Sequence, residues 1–131
     1  MTVTTDRTAR RGGVLLRVDG ALAFLPAVSV QSIVAMPPIT TVPGRRDPLL
    51  GIAQVANSVI PVLALGRQGS ARGMLVVTRY AGESLGLAGG EIVGTGHYEV
   101  DGSAPDCVRV DGERVPSIDV AKMCDAVRGA S

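Results

Sequence analysis

Residues 51–65 read GIAQVANSVIPVLAL and contain two apolar runs separated by a polar dipeptide. The runs at 51–55 and 59–65 are short and rich in aliphatic residues, which is typical of β-strands. Asn57 and Ser58 lie between the runs, and asparagine tolerates the left-handed backbone conformation that tight turns use. We therefore expect a β-hairpin here, with its turn at Asn57-Ser58.

The same arrangement of strand, tight turn and strand recurs on both sides of this stretch. Three more dipeptides separate short apolar runs: Asp19-Gly20, Ala81-Gly82 and Asp111-Gly112. Asp-Gly is a strong signal for a type I′ hairpin turn, which needs positive φ at both residues. With further extended runs, such as 28–36, the pattern predicts about ten short strands and an all-β barrel architecture.

The two ends of the sequence differ from this pattern. Residues 1–12 are polar and without periodicity, so we expect a flexible N-terminal tail followed by one domain over 13–128. Residues 119–127 place apolar side chains at helical spacing, which predicts a short C-terminal helix. The proline-rich residues 37–48 are expected to form an ordered, extended connection, and His97 is expected in a glycine-rich loop.

Composition narrows the possible functions. The chain has 131 residues, 46% of them hydrophobic, and a net charge of +1. A single domain of this size buries enough apolar surface to fold without metals or disulfides. Near-neutral charge and the near absence of aromatic residues argue against nucleic acid as a partner. Because no apolar run reaches the length of a membrane span, we expect a cytoplasmic protein that is not inserted in a membrane.

The titratable residues do not form a recognisable catalytic or metal-binding set. His97 is the sole histidine, and no second group is placed to orient it as a general base. Cys107 and Cys124 lack the spacing of zinc ligands and are interpreted as small apolar side chains. We therefore predict no catalytic residues, no metal and no cofactor, and expect a binding or scaffold module rather than an enzyme.

The order of the segments resembles the CheW-like family, the adaptors of bacterial chemotaxis arrays. The most specific part is 51–65, where the family tends to show Gly-Val-Ile-Asn-Leu-Arg-Gly-Arg-Val-Ile-Pro-Val-Val-Asp-Leu. The matching residues are Gly51, Val59, Ile60, Pro61, Val62 and Leu65, with Leu85-Gly86-Leu87 further along. The resemblance implies two small, intertwined, five-stranded SH3-like barrels, in which the first and last strands share one barrel and the middle strands form the other.

The resemblance also implies a function and a site. Family members couple the cytoplasmic tip of a chemoreceptor to the regulatory domain of a CheA-type histidine kinase, and the receptor enters a groove between the barrels. The segments that resemble the receptor-contact regions contain Val30, Ser32, Ile33, Val55, Ala56, Asn57 and Ser58. Val30 and Ser32 are expected to share one strand face, because side chains alternate along a strand. No kinase-binding residues are predicted.

The sequence departs from the family pattern at the turn of the central hairpin. Ala56 and Asn57 stand where the family usually has Arg-Gly, and that arginine is implicated in receptor contact. One alternative is therefore a kinase-binding regulatory paralogue in which receptor binding is lost or altered. A second alternative is a regulatory domain separated from a kinase chain. Two further alternatives belong to other functional classes: a small β-barrel that binds a ligand, and a small enzyme that uses His97.

Overall fold

The computed structural model describes residues 9–44, 49–66 and 73–129. Within these ranges the chain forms ten β-strands, a 3-10 turn at Ala27–Ser29 and one α-helix. The elements are β1 Arg10–Val18, β2 Ala21–Pro26, β3 Val30–Ala35, β4 Leu49–Val55, β5 Ser58–Ala64, β6 Met74–Tyr80, β7 Glu83–Ala88, β8 Glu91–Asp101, β9 Ala104–Val110, β10 Glu113–Pro116 and α1 Val120–Gly129.

The strands form two five-stranded sheets. Sheet 1 has the order β10-β9-β8-β1-β2, and sheet 2 has the order β3-β6-β7-β5-β4. Among the ten strands, all pairings are antiparallel except that between β5 and β7. The prediction that the first and last strands share one barrel while the middle strands form the other is confirmed.

Both sheets curl until their outer strands are bridged. In sheet 1 Phe24 of β2 pairs with Ser117, just after β10, and its carbonyl accepts a 2.8 Å hydrogen bond from the Ile118 amide. In sheet 2 the connection that leaves β3 returns to β4, where Thr40 and Ile52 exchange backbone hydrogen bonds of 2.8 and 2.9 Å. These bridges remove much of the open edge that each sheet would otherwise expose.

Among the described residues, three apolar clusters form the core of the protein. One fills barrel 1 and is built from Leu15, Phe24, Val108 and Val115. A second fills barrel 2 and is built from Ala53, Ile60, Val62, Leu75, Val77 and Ala88. The third lies between the barrels and joins both sheets to α1 through Val14, Leu16, Leu25, Leu63, Leu65, Val76, Leu85, Leu87, Val120 and Cys124. We call this third cluster the inter-sheet core.

Two glycines allow backbone segments to approach closely. A Cβ atom on Gly13 would meet the Leu25 carbonyl oxygen and would lie 2.5 Å from Cζ of Phe24, the largest fully buried side chain among the described residues. A Cβ atom on Gly51 would meet the Thr40 carbonyl, which is the group that closes barrel 2. The family-like glycine at position 51 is therefore explained by the close approach of the closing segment.

The hairpin prediction is correct in kind at all four turns, but one turn is displaced by a residue. Asp19, Ala81 and Asp111 have φ of 52°, 54° and 51°, as a type I′ turn requires at its first position. In the central hairpin the turn residues are Ala56 and Asn57, because β5 begins at Ser58. Ala56, with φ of 55°, adopts the left-handed conformation there.

Two other expectations need correction. β1 begins at Arg10, so the last residues of the predicted 1–12 tail pair with β8. His97 does not lie in a loop, because β8 runs without interruption from Glu91 to Asp101 and His97 pairs with Gly12. The glycines near His97 favoured a loop, but pairing of β8 with β1 over Glu91–Glu99 keeps this part of the chain in a strand. Residues 1–8 of the tail and residues 45–48 of the proline-rich connection lie outside the described ranges.

No helix in the described ranges is long and apolar enough to cross a membrane. The described residues also contain no group of three or more His, Cys, Asp or Glu side chains that could hold a metal ion.

Candidate functional site

The seven predicted site residues lie on different surfaces, and the reason begins with a β-bulge in β3. Val30 pairs with Thr78 of β6, whereas Ser32 pairs with Val77, the next residue along that strand. Gln31 is thus an extra residue in the ladder. Because Thr78 and Val77 point to opposite sheet faces, their partners do too. The prediction that Val30 and Ser32 share one face is therefore wrong.

The bulge assigns the three β3 residues to two sides of the sheet. Val30 and Ile33 are partly buried and pack against the inter-sheet core. Ser32 pairs with Val77, a member of the cluster that fills barrel 2, and therefore lies on the opposite side of the sheet. Val30 and Ile33 are thus partly exposed while they pack against the inter-sheet core, and Ser32 is not part of the surface that they form.

The hairpin residues belong to barrel 2. Val55 is partly buried against the cluster that fills the barrel. Residues 56–58 are exposed at the turn, and Ala56 lines an open groove on the outside of the barrel, where Thr40 meets Ile52. Val59 and Ile52, both in this groove, are 66% and 37% exposed. We call it the seam groove, because it lies where the segment after β3 pairs with β4. It presents an apolar surface next to position 56, where the family usually has an arginine.

A second groove runs between the two sheets beside the start of α1, and we call it the inter-sheet groove. Sheet 1 and its extensions contribute Arg11, Pro26, Asp106 and Ser117, and sheet 2 contributes Arg79 and Tyr80. Ser29 of the 3-10 turn and residues 118–121 complete the lining. A groove lined by both sheets is therefore present, and its lining includes none of the seven predicted residues.

The inter-sheet groove contains charged side chains of both signs. The Arg11 guanidinium lies 5.8 Å from the centre of the Phe24 ring. Neither Arg11 nor Arg79 forms an ion pair with any described residue. Asp119 caps α1 by accepting a 3.0 Å hydrogen bond from the Lys122 amide. Both arginines thus retain hydrogen-bonding capacity toward a partner.

An apolar cleft adjoins the inter-sheet groove, and Tyr80 lines both. The cleft is bordered by Pro61, Leu63, Leu85 and Cys124, with Glu83 and Ser84 at its polar side. Sequence reasoning did not predict this surface. The sequence does contain one local sign of an exposed surface here. Arg79 and Tyr80 directly follow the buried run 75–78 of β6 and stand immediately before the turn.

Asp101 is the most buried charged residue among those described, with 1% of its surface exposed. Its carboxylate accepts hydrogen bonds from the Ser103 amide and hydroxyl, both at 2.8 Å, and from Arg109 and Arg114. The hydrogen bonds from Ser103, followed by that from Arg114, hold the pKa of Asp101 well below its usual range. We interpret this cluster as a structural support for the β8–β9 turn, because its donors are occupied within the cluster.

The comparisons with known proteins agree with this architecture of two packed all-β barrels around a shared core. Residues 12–101 match the model of the CheW-like domain family, which is more than half of the chain. The protein therefore belongs to the CheW-like domain family.

A solved structure is similar across nearly the whole chain. It is the crystal structure of the scaffolding protein TtCheW from Thermoanaerobacter tengcongensis, with a TM-score of 0.71 and 16% identity. The similarity covers 86% of this chain and 90% of that one, and at this identity it supports the fold. No curated protein matches the sequence.

Proposed function

We propose that this protein is a non-enzymatic adaptor that couples chemoreceptors to a CheA-type histidine kinase in the cytoplasm. Membership of the CheW-like family supports a scaffold of chemotaxis. The observation that carries the finer proposal is the open inter-sheet groove, which is lined by both barrels. A partner seated there contacts both sheets at once, so its binding is sensitive to their relative position.

The filled barrels favour this proposal over a ligand-binding barrel. Phe24 and Tyr98 pack edge to face inside barrel 1, with ring centres 5.9 Å apart. In barrel 2 the corresponding space is taken by Leu75 and Val62, which are fully buried. The open surfaces lie outside the barrels, where a macromolecular partner has access.

The seven predicted receptor-contact residues remain a prediction within this proposal. Ala56 lines the seam groove, and Val30 and Ile33 are partly exposed beside the inter-sheet core. The absence of an arginine at position 56 favours the second candidate, a paralogue that binds the kinase while its receptor contact is altered. The kinase-binding residues are not assigned.

The deciding experiment treats the two partners separately. The purified protein is titrated with the regulatory domain of the organism's CheA-type kinase and, independently, with a chemoreceptor cytoplasmic fragment. Binding to both supports the coupling adaptor, and binding to the kinase alone supports the altered paralogue. Failure to bind the kinase domain would contradict both candidates.

A further inference from the structure

Barrel 2 is closed by a segment that is held at very few points. Residues 37–44, which we call the closing strap, follow β3 and lie along the outer edge of β4. Among the described residues, the backbone hydrogen bonds of the strap are the two that Thr40 exchanges with Ile52. The Met36 amide, just before the strap, donates a further bond of 3.0 Å to the Gly73 carbonyl. No residue of the strap is fully buried, so little apolar packing supports these bonds.

A proline stops the ladder one step beyond the Thr40–Ile52 pair. The pairing is antiparallel, and its continued register places Pro38 opposite Gln54, with both residues in the lining of the seam groove. Because backbone groups alternate in direction along a strand, the N–H and C=O of Gln54 point to the same edge as those of Ile52. Proline has no N–H to donate to the Gln54 carbonyl. The ladder between the strap and β4 therefore consists of one residue pair.

The fit of the strap depends on Gly51 of β4. A Cβ atom at this position would meet the Thr40 carbonyl oxygen and would lie 2.9 Å from Cγ2 of Ile39. Gly51 is not among the residues with positive φ, so its backbone conformation does not itself require glycine. The strap is thus closed against a position where the absence of a side chain is what gives it room.

The rest of barrel 2 does not rely on the strap. β4 has a full ladder with β5, in which Ala53 pairs with Ile60, and both of these side chains are buried. Among the described residues of the strap, only Ile39 packs against the cluster that fills the barrel, and it is partly buried. Local opening that breaks so few contacts costs less free energy than unfolding of the whole domain.

We infer that the closing strap is a releasable element, which detaches from β4 while the rest of barrel 2 stays folded. When the strap is closed, Pro38 and Thr40 line the seam groove together with Ala56. When it is open, that part of the lining is gone and the outer edge of β4 is free. A partner bound in the seam groove therefore stabilises the closed state, because only that state presents the groove. This opening is a property of the chain itself and goes beyond the proposed adaptor function.

Amide hydrogen exchange of the full protein, followed by NMR without any partner, tests the inference. The Thr40 and Ile52 amides bond to each other's residues, so they are expected to show the same protection factor. That protection should be lower than the protection of the Ala53 and Ile60 amides by about tenfold or more, because opening of the strap leaves the β4–β5 ladder intact.

Two pairs of variants shift the opening in opposite directions. Gly51→Ala is expected to lower protection at Thr40 and Ile52 about five- to a hundredfold. Its control is Gly94→Ala in β8, where a Cβ would meet only the Tyr98 hydroxyl, at 3.6 Å.

Pro38→Ala supplies the missing N–H opposite Gln54 and extends the ladder by one pair. Protection at Thr40 is expected to be about two- to tenfold higher in Pro38→Ala than in Pro37→Ala. Pro37→Ala is the matched control, because it loses the same ring and its new N–H points away from β4.

Equal protection of the Thr40, Ile52, Ala53 and Ile60 amides in the parent would overturn the inference, since the strap would then open only with the whole domain. A loss in Gly51→Ala that extends equally to Ala53 and Ile60 would also overturn it. If Gly51→Ala does not fold, the parent and the two proline variants still decide. Equal protection in Pro38→Ala and Pro37→Ala would show that the proline does not limit the ladder and would count as refutation. Failure of the protein to bind a kinase or receptor leaves all of these results unchanged.

Discussion

The Nε atom of Arg114 donates a 2.9 Å hydrogen bond to Oδ2 of Asp101, which joins β10 to the end of β8 across β9. Arg109 reaches the same oxygen at 3.2 Å from β9. Three strands of barrel 1 are thus connected through one buried carboxylate. Because a buried charge is costly without its partners, the two arginines and Asp101 depend on each other.

Acid should weaken this connection in a defined pH range. The pKa of Asp101 is lowered in the folded protein, so its ionised form stabilises the fold at pH values above the ordinary carboxyl pKa of about 4. That stabilisation is lost as the pH falls below about 4. We expect Asp101→Asn to unfold at lower temperature at neutral pH and to respond less to acid than the parent does.

Asp111→Asn is the matched control for this prediction, because Asp111 is an exposed turn carboxylate. Asparagine also tolerates the left-handed conformation found there. Circular dichroism melts between pH 7 and 2 make the comparison. If Asp101→Asn shows the parent's pH dependence, the carboxylate does not contribute as described.

Gly13 should be among the least substitutable positions of barrel 1. Its missing Cβ leaves the space that the Phe24 ring occupies, so Gly13→Ala forces that ring or the backbone to move. We expect a loss of about 1–3 kcal/mol in the free energy of unfolding, measured by chemical denaturation. Gly102→Ala, where a Cβ meets nothing within 4 Å, should change stability by less than about 0.5 kcal/mol.

The turn at Ala81 offers a stabilising substitution. Ala81 has φ of 54°, a conformation that is strained for alanine and unstrained for glycine. Ala81→Gly is expected to raise the free energy of unfolding by roughly 0.5–1 kcal/mol. Ala35→Gly, at an exposed position within β3, should lower it, and a gain at both positions would refute the strain argument.

A substitution at Ala56 tests the departure from the family at the hairpin turn. Ala56→Arg restores a guanidinium where the family usually has one, with no added backbone cost, since arginine and alanine share the left-handed penalty. A charge-assisted hydrogen bond of about 1.5 kcal/mol would strengthen binding of a typical chemoreceptor tip roughly tenfold. Ala56→Gln is the control, and equal binding by the parent and Ala56→Arg would show that this site has not diverged.

Local signals in the sequence predicted the hairpins well. Asp-Gly at 19–20 and 111–112 fixes turn geometry within the dipeptide, so no knowledge of the rest of the fold is needed. The division of strands between two barrels followed from the family resemblance. The turn of the central hairpin was misplaced because Ala56, a residue without turn preference, takes the left-handed conformation there.

The surfaces were harder to predict because they depend on pairing between distant strands. The bulge at Gln31 is set by the register of β3 on β6, and no residue type within β3 predicts it. Asp101 and Arg114 are separated by 13 positions and become neighbours only when β9 and β10 fold back. The same holds for Arg11 and Arg79, whose common groove exists only after the sheets pack.

The sequence order of the two sheets has a consequence for folding kinetics. Sheet 2 is assembled from one continuous segment, β3 to β7, whereas β1, which pairs with β2 on one side, must pair on its other side with β8, which follows that whole segment. Closing so long a loop is slow, because chain entropy is lost before the contacts form. During synthesis sheet 2 can therefore complete its ladder while β1 and β2 remain an isolated hairpin with an unpaired edge. The nascent chain is then vulnerable to aggregation at β1 until β8 emerges and covers it.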